Sequence, residues 1–187
     1  VRCGLEAGVP VVAGCGDTAA SFLASGATRE GVCVDVAGTA SVFAATTAAF
    51  LPDRKRQVLS CGLAATPGLW HAYAYINGGG MNLEWFREHF AAAGGQKSSA
   101  AVFKKLERLA AAISPAADLP YFIPHLSGRV SPSWPDLRGA WVGLARQHGL
   151  GHLYRAVLEG VALEYGIYKK VLEELQPGLA LREVRLT

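Results

Sequence analysis

Val32-Cys33-Val34-Asp35-Val36-Ala37-Gly38-Thr39-Ala40-Ser41-Val42-Phe43-Ala44-Ala45 is the segment from which the architecture is best read. Apolar residues dominate both sides of Gly38. Val32 to Ala37 is therefore expected to form a strand that Gly38 interrupts, and Ser41 to Ala45 the next one, a hairpin-like pair about a small turn.

Downstream, Val58 to Leu63 and Trp70 to Ile76 read as two more strands around the turn signal Pro67-Gly68. Upstream, Val9 to Ala13 is a short β-type run closed by Gly14-Cys15-Gly16. Asp17 to Ser25 then reads as an alanine-rich helix, with Asp17 as N-cap and Gly26 as its stop. The later half is more helical. Helices are expected from Met81 to Ala92, after Gly78-Gly79-Gly80, and from Ala101 to Ala112. Leu119 to Ile123 reads as a short strand. Leu153, Val157, Val161, Tyr165, Tyr168, Leu172 and Leu175 recur at spacings of three and four, the apolar stripe of a long helix over 153–175. Pro177-Gly178 stops it, and Glu183 to Leu186 begins a last strand. Strands and helices alternate, so the fold class is α/β with a mixed sheet. The sequence finishes inside that strand, which leads us to expect a single partial domain over residues 1–187.

Composition narrows the function classes. The 187 residues are 51% hydrophobic and 18% charged, which suits a packed domain and excludes a disordered tail. With a net charge of +3 and no basic run beyond Arg54-Lys55-Arg56, no nucleic-acid partner is expected. No uncharged apolar run approaches the roughly 18 residues of a membrane helix, so no membrane partner is expected either. Cys3, Cys15, Cys33 and Cys61 lack zinc-like spacing and read as free buried thiols of a cytoplasmic protein. His148 and His152 are four apart, but Gly149 and Gly151 interrupt them and no third ligand is in view, so no metal site is expected.

Three turns carry candidate chemistry. Gly14-Cys15-Gly16-Asp17-Thr18-Ala19 fits the loose GxGxxA dinucleotide pattern, and Asp35 follows about 20 residues on. A nicotinamide- or flavin-binding oxidoreductase is one reading of it. Asp17 opposes that reading, because a carboxylate in the glycine turn repels a pyrophosphate. A capping Asp in a tight turn is the plain structural reading. A general base, taking the proton of a sugar hydroxyl that attacks a phosphoryl group, is the functional one. At Gly38-Thr39, backbone amides and a hydroxyl can approach a phosphate, although such turns are common in hairpins. Asn77-Gly78-Gly79-Gly80 sits between a strand and a helix, where amides can bind an anion or the glycines can simply connect.

Taken together, these segments resemble the second domain of the FGGY carbohydrate kinases, relatives of actin. Gly8-Val9-Pro10-Val11-Val12-Ala13-Gly14-Cys15-Gly16-Asp17 is similar to the family's "GxPVxxGxxD", and Gly38-Thr39 to its "GT" turn, with Ala40 in place of the usual Ser or Gly. Gly79 and Gly80, ahead of Leu83-Glu84-Trp85-Phe86, resemble its small-residue turn. Gly128-Arg129-Val130-Ser131-Pro132 and Pro135-Asp136-Leu137-Arg138-Gly139 resemble its "GERxP…DPxARG" loop. Gly143-Leu144 and His152-Leu153-Tyr154-Arg155-Ala156-Val157-Leu158-Glu159-Gly160 resemble its "GL…HLxRAxLEG" signature.

The resemblance implies an actin-like ATPase (ribonuclease H-like) domain, its mixed sheet flanked by helices. It implies transfer of the γ-phosphoryl of MgATP to a sugar or polyol hydroxyl, a xylulose-like ketose being favoured by Trp85-Phe86-Arg87. Asp17 would be the base and also touch the acceptor. Gly38, Thr39, Gly79 and Gly80 would hold phosphates, with Glu84 near ATP. ATP and Mg²⁺ are the implied cofactors. The partners are the small-molecule acceptor and the family's N-terminal domain, with a homodimer as a further expectation. The family's glycine-rich adenosine motif would follow Thr187, so the 187 residues alone are expected to be inactive. The remaining alternatives are a non-catalytic remnant or interaction domain and the dinucleotide-binding oxidoreductase.

Overall fold

The Val32–Ala45 hairpin lies at the centre of the sheet. A computed structural model describes residues 4–91, 99–114 and 117–187. In it β1 (Val32–Ala37) pairs antiparallel with β2 (Ser41–Thr47), Val34 opposite Ala44 and Ala37 opposite Ser41. On the far side of β2 lies β4 (Trp70–Ile76), and beyond it the edge strand β3 (Ser60–Leu63), both antiparallel to their neighbours. On the far side of β1 lies β7 (Glu183–Leu186), which pairs in parallel. The order β3-β4-β2-β1-β7 is thus a mixed sheet.

Helices cover both faces, and every residue of β2 is buried. On one face, Phe22 of α1 (Asp17–Ala24) packs with Val32, Val34, Val42 and Ala44. On the other, Cys33, Phe43, Ala45, Ala72, Ala74 and Ile76 meet Tyr168, Val171 and Leu172 of α4 (Leu150–Leu175). A second core lies beside the sheet. It joins Phe86 of α2 (Gly79–Phe86), Val102, Leu106 and Ala110 of α3 (Ser99–Ala111), Phe122 of β5 (Tyr121–Ile123), and Tyr154 and Val157 of α4. β5 pairs with β6 (Ala140–Val142), and Trp141 stacks against Trp85. α4 therefore serves both cores, its buried positions Tyr154, Val157, Gly160, Glu164, Tyr168 and Val171 falling on one stripe.

Several expectations are corrected. Val9 to Ala13 forms no strand, and Val11 is 91% exposed. A β-type run becomes a strand only where a neighbour supplies the hydrogen-bond ladder, and none of the described residues does so. Gly16, rather than Asp17, is the N-cap of α1, and the Asp17 carboxylate accepts a 2.6 Å hydrogen bond from the Thr18 amide. α2 starts two residues before Met81 and runs into a single π-turn over Arg87–Ala91; the predicted end at Ala92 lies outside the described residues. α4 starts at Leu150, because the His152 ring accepts the Gly149 amide at 3.2 Å and closes its first turn. β6 was not expected. Cys15 is exposed rather than buried, Cys61 is half-buried, and Cys3 lies outside the described residues. Trp134 is 59% exposed. Glu174 pairs with Arg56 at 2.8 Å.

Candidate active site

At the C-terminal end of β1, the Gly38-Thr39 turn meets the N-terminus of α2. The Gly80 amide donates to the Gly38 carbonyl at 3.0 Å, and the Met81 amide donates to the Thr39 carbonyl at 3.1 Å. The first-turn amides of a helix have no partner within it. Two of them are met here by the turn, which locks the two loops into one corner. The glycines are what allow this approach. A Cβ on Gly79 would stand 1.9 Å from Ser41 Oγ, and one on Gly80 would stand 2.7 Å from the Gly38 carbonyl oxygen. The glycine run is therefore fitted to its neighbours and is not a slack connector. Asn82, fully buried, fixes the helix from beneath by donating to the Pro124 carbonyl at 3.0 Å.

Two cavities open at this corner. One, of about 280 Å³, is lined by Asp35, Gly38, Ser41, Gly79, Gly80 and Tyr165, among others. The other, of about 400 Å³, is bounded by Gly38, Thr39, Gly80, Met81, Glu84 and Phe103. Among the described residues, neither has a Lys or Arg in its lining. The charges present are acidic, from Asp35 and Glu84. Asp35 accepts a 2.8 Å hydrogen bond from the Tyr165 hydroxyl, and Glu84 is paired with Arg87 at 2.7 Å. Burial, with the nearby Asp35 charge adding to it, pushes the Tyr165 phenol well above its ordinary range, so it acts as a hydrogen-bond donor at neutral pH.

Asp17 stands apart from this corner. Exposed at the start of α1, it borders a third cavity, of about 250 Å³, with Thr18, Phe22, His71, Tyr73 and Tyr75. That cavity shares no lining residue with the other two. Apart from Thr18, nothing among the described residues bonds the Asp17 carboxylate, so it is free to accept a proton from a ligand. The structure thus brings Gly38, Thr39, Gly79, Gly80 and Glu84 together and puts Asp17 in a cavity of its own.

The 128–139 loop braces the corner from behind. Glu164 of α4, buried, accepts from Arg129 Nη2 at 3.2 Å and lies 3.2 Å from His125 Nε2. Burial alone would raise its carboxyl, but the His125 hydrogen bond and the Arg129 charge outweigh it and hold the carboxyl below its ordinary range. Arg155 and Glu159 form an i,i+4 pair on α4, at 2.6 Å. His148 and His152 are structural. Each ring accepts a backbone amide three residues before it, and no three metal-ligating side chains converge among the described residues.

The motifs did not mark Ser41, Asn82, Tyr73 or Tyr75, and they marked Asp35 only as the acid of the dinucleotide pattern and Tyr165 only as part of the helix stripe. The alternation His71-Tyr73-Tyr75 on a strand was the one available signal for the tyrosines, since it places all three on one face.

Comparison with known proteins agrees with this geometry. The family model described as the FGGY family of carbohydrate kinases, C-terminal domain, matches residues 33–186. The xylulose kinase of Escherichia coli (strain K12) is 33% identical over 160 residues, which are 82% of this chain and 30% of that protein. The gluconokinase of Bacillus subtilis (strain 168) is 29% identical over 172 residues, 90% of this chain and 33% of that protein. The crystal structure of xylulose kinase from Rhodospirillum rubrum superposes with a TM-score of 0.78 at 31% identity, over 92% of this chain and 33% of that one. The chain thus spans about a third of the length of the relatives it matches. The mixed sheet between helices is the actin-like ATPase fold that these kinases have. The chain belongs to the FGGY family of carbohydrate kinases, through that family's C-terminal domain.

Proposed function

We propose that this chain supplies the nucleotide-facing side of an ATP-dependent carbohydrate kinase, with Asp17 as general base. The acceptor hydroxyl oxygen forms a new bond to the γ-phosphorus of ATP while the bond from that phosphorus to the β,γ-bridging oxygen breaks. The hydroxyl proton passes to the Asp17 carboxylate, leaving ADP and a phosphorylated sugar or polyol. The observation that carries the reading is the corner where Gly80 and Met81 amides bind the Gly38-Thr39 turn, which fixes a small, backbone-rich surface beside an exposed threonine hydroxyl.

The Thr39 hydroxyl and the Gly79 backbone are suited to phosphate oxygens, whereas Gly38, whose amide bonds the Val36 carbonyl at 3.1 Å, and Gly80, whose amide bonds the Gly38 carbonyl, contribute by shaping the turn. Glu84 and Asp35 would repel bare phosphates, so the corner fits ATP that arrives with its charge offset by Mg²⁺. Mg²⁺ would supply that neutralisation. With neither Lys nor Arg among the described lining residues, further positive charge is expected from the family's N-terminal domain. A xylulose-like ketose is the favoured acceptor, supported by the similarity to two proteins named xylulose kinase. The 187 residues alone, lacking the other wall of the cleft, are expected to be inactive.

The test is ADP release from MgATP by the intact protein that carries this chain, with D-xylulose, gluconate and glycerol in turn. The expected outcome is acceptor-dependent release, fastest with D-xylulose. Release that no acceptor stimulates would sink the kinase reading.

A further inference from the structure

The cavity beside Asp17 has walls of a particular chemistry. His71, Tyr73 and Tyr75 come from alternate positions of β4 and so face it from one side of the sheet. Tyr73 and Tyr75 meet edge to face with ring centroids 5.5 Å apart, and Phe22 packs edge-on against His71 at 4.9 Å. These contacts hold the rings in place before any ligand arrives. Burial pushes the His71 imidazole below its ordinary value, so it is neutral at pH 7. Asp17 is therefore the one charged group in the lining among the described residues. The Tyr75 hydroxyl has no hydrogen-bond partner among the described residues.

An uncharged aromatic wall with a spare hydroxyl, next to a single carboxylate, suits a neutral polyhydroxylated carbon chain. Its C–H faces can lie on the rings and its hydroxyls can bond the phenol. It does not suit a polyphosphate, which the lone carboxylate would repel. The cavity shares no lining residue with the Gly38-Thr39 corner, so an acceptor bound in it leaves that corner open to the phosphates.

We propose that Tyr75, with Tyr73 beside it, is a specificity-determining residue for the acceptor: the sugar or polyol lies against this aromatic wall while one hydroxyl reaches Asp17. Part of the acceptor selection then resides in this chain and not only in the N-terminal domain. The proposal rests on the reading of Asp17 as the base, and the two are tested separately.

The experiment is steady-state kinetics on the intact protein with Tyr75→Ala, Tyr75→Phe, Tyr73→Phe and Asp17→Asn, using D-xylulose, gluconate and glycerol, with KM for MgATP measured in parallel. Tyr75→Ala is expected to raise the acceptor KM by about tenfold, the scale for removing an apolar contact from a binding pocket, with KM for MgATP unchanged. Tyr75→Phe, which keeps the ring, is expected to keep most of the affinity while changing the ranking of the three acceptors. If the tyrosine variants leave kcat/KM for every acceptor within about twofold of wild type, the proposal is overturned. An equal rise in the acceptor and MgATP KM values overturns it too, since that is what a merely structural tyrosine would give. Asp17→Asn judges the base through kcat alone, so failure of that reading leaves the tyrosine result standing on acceptor KM.

Discussion

Asp53 shows how a single carboxylate organises a turn. Buried, it accepts from the amides of Arg56 at 2.9 Å, Val58 at 2.8 Å and Leu59 at 3.3 Å, and so sets the approach to β3. Burial by itself would raise its carboxyl, but these hydrogen bonds outweigh it and hold the carboxyl below 3.8. A folded value below the unfolded one gives stability that is complete above about pH 4 and is lost as pH falls through the folded value. Asp53→Asn is expected to cost about 1–3 kcal/mol at pH 7 in denaturant unfolding, with the gap to wild type narrowing at pH 3. An equal gap at both pH values would contradict the assignment. Gly80 is decisive for a steric reason. Gly80→Ala forces a methyl against the Gly38 carbonyl oxygen, so it is expected to separate α2 from the turn, at about 1–3 kcal/mol, and to raise KM for MgATP in the intact protein. An unchanged KM would remove the corner from nucleotide binding. The sequence marked Gly79 and Gly80 as a candidate ligand turn. Their contact with Gly38 and Ser41 was not legible there, because it joins segments about 40 residues apart that only the sheet brings together.

Element by element, legibility followed the strength of the local signal. β1, β4 and β7 were read to the residue, and α4 over most of its length, because apolar runs, the charged-apolar alternation of β7 and a long three-and-four stripe admit few alternatives. Ala140–Val142 was missed, since three residues carry no period and its pairing with β5 is a tertiary fact. Val9 to Ala13 failed in the opposite way: the composition suits a strand, but a strand is made by its neighbour. The element on which the rest leans is α4, and Glu164 is its most exposed point of failure. Removing that carboxylate leaves the Arg129 guanidinium unpaired against His125. Glu164→Ala is expected to cost about 3–5 kcal/mol, a fall in Tm on the order of 10 °C, with Glu164→Gln losing less because it keeps hydrogen-bonding oxygen and shape. A Glu164→Ala protein that melts with wild type would show that the loop does not need the brace.

For the whole molecule, the family match and the cavity layout point to the same division of labour. A backbone-rich corner on one helix N-terminus suits phosphates, and a free carboxylate on another stands beside an aromatic cavity. The sequence made the family legible through its ordered motifs, and it marked Asp17 and the glycine turns. It did not reveal that Asp17 and those turns border separate cavities, because strand order and helix placement decide that. The central claim is that Asp17 takes the acceptor's proton. It is tested most directly by kcat for acceptor-dependent ADP release from the intact protein, wild type against Asp17→Asn. The expected result is a fall of about 10²–10⁴-fold in kcat with KM for MgATP little changed, the range for losing a general base. A variant that keeps kcat within about twofold of wild type would contradict the claim, and the base would have to be sought elsewhere.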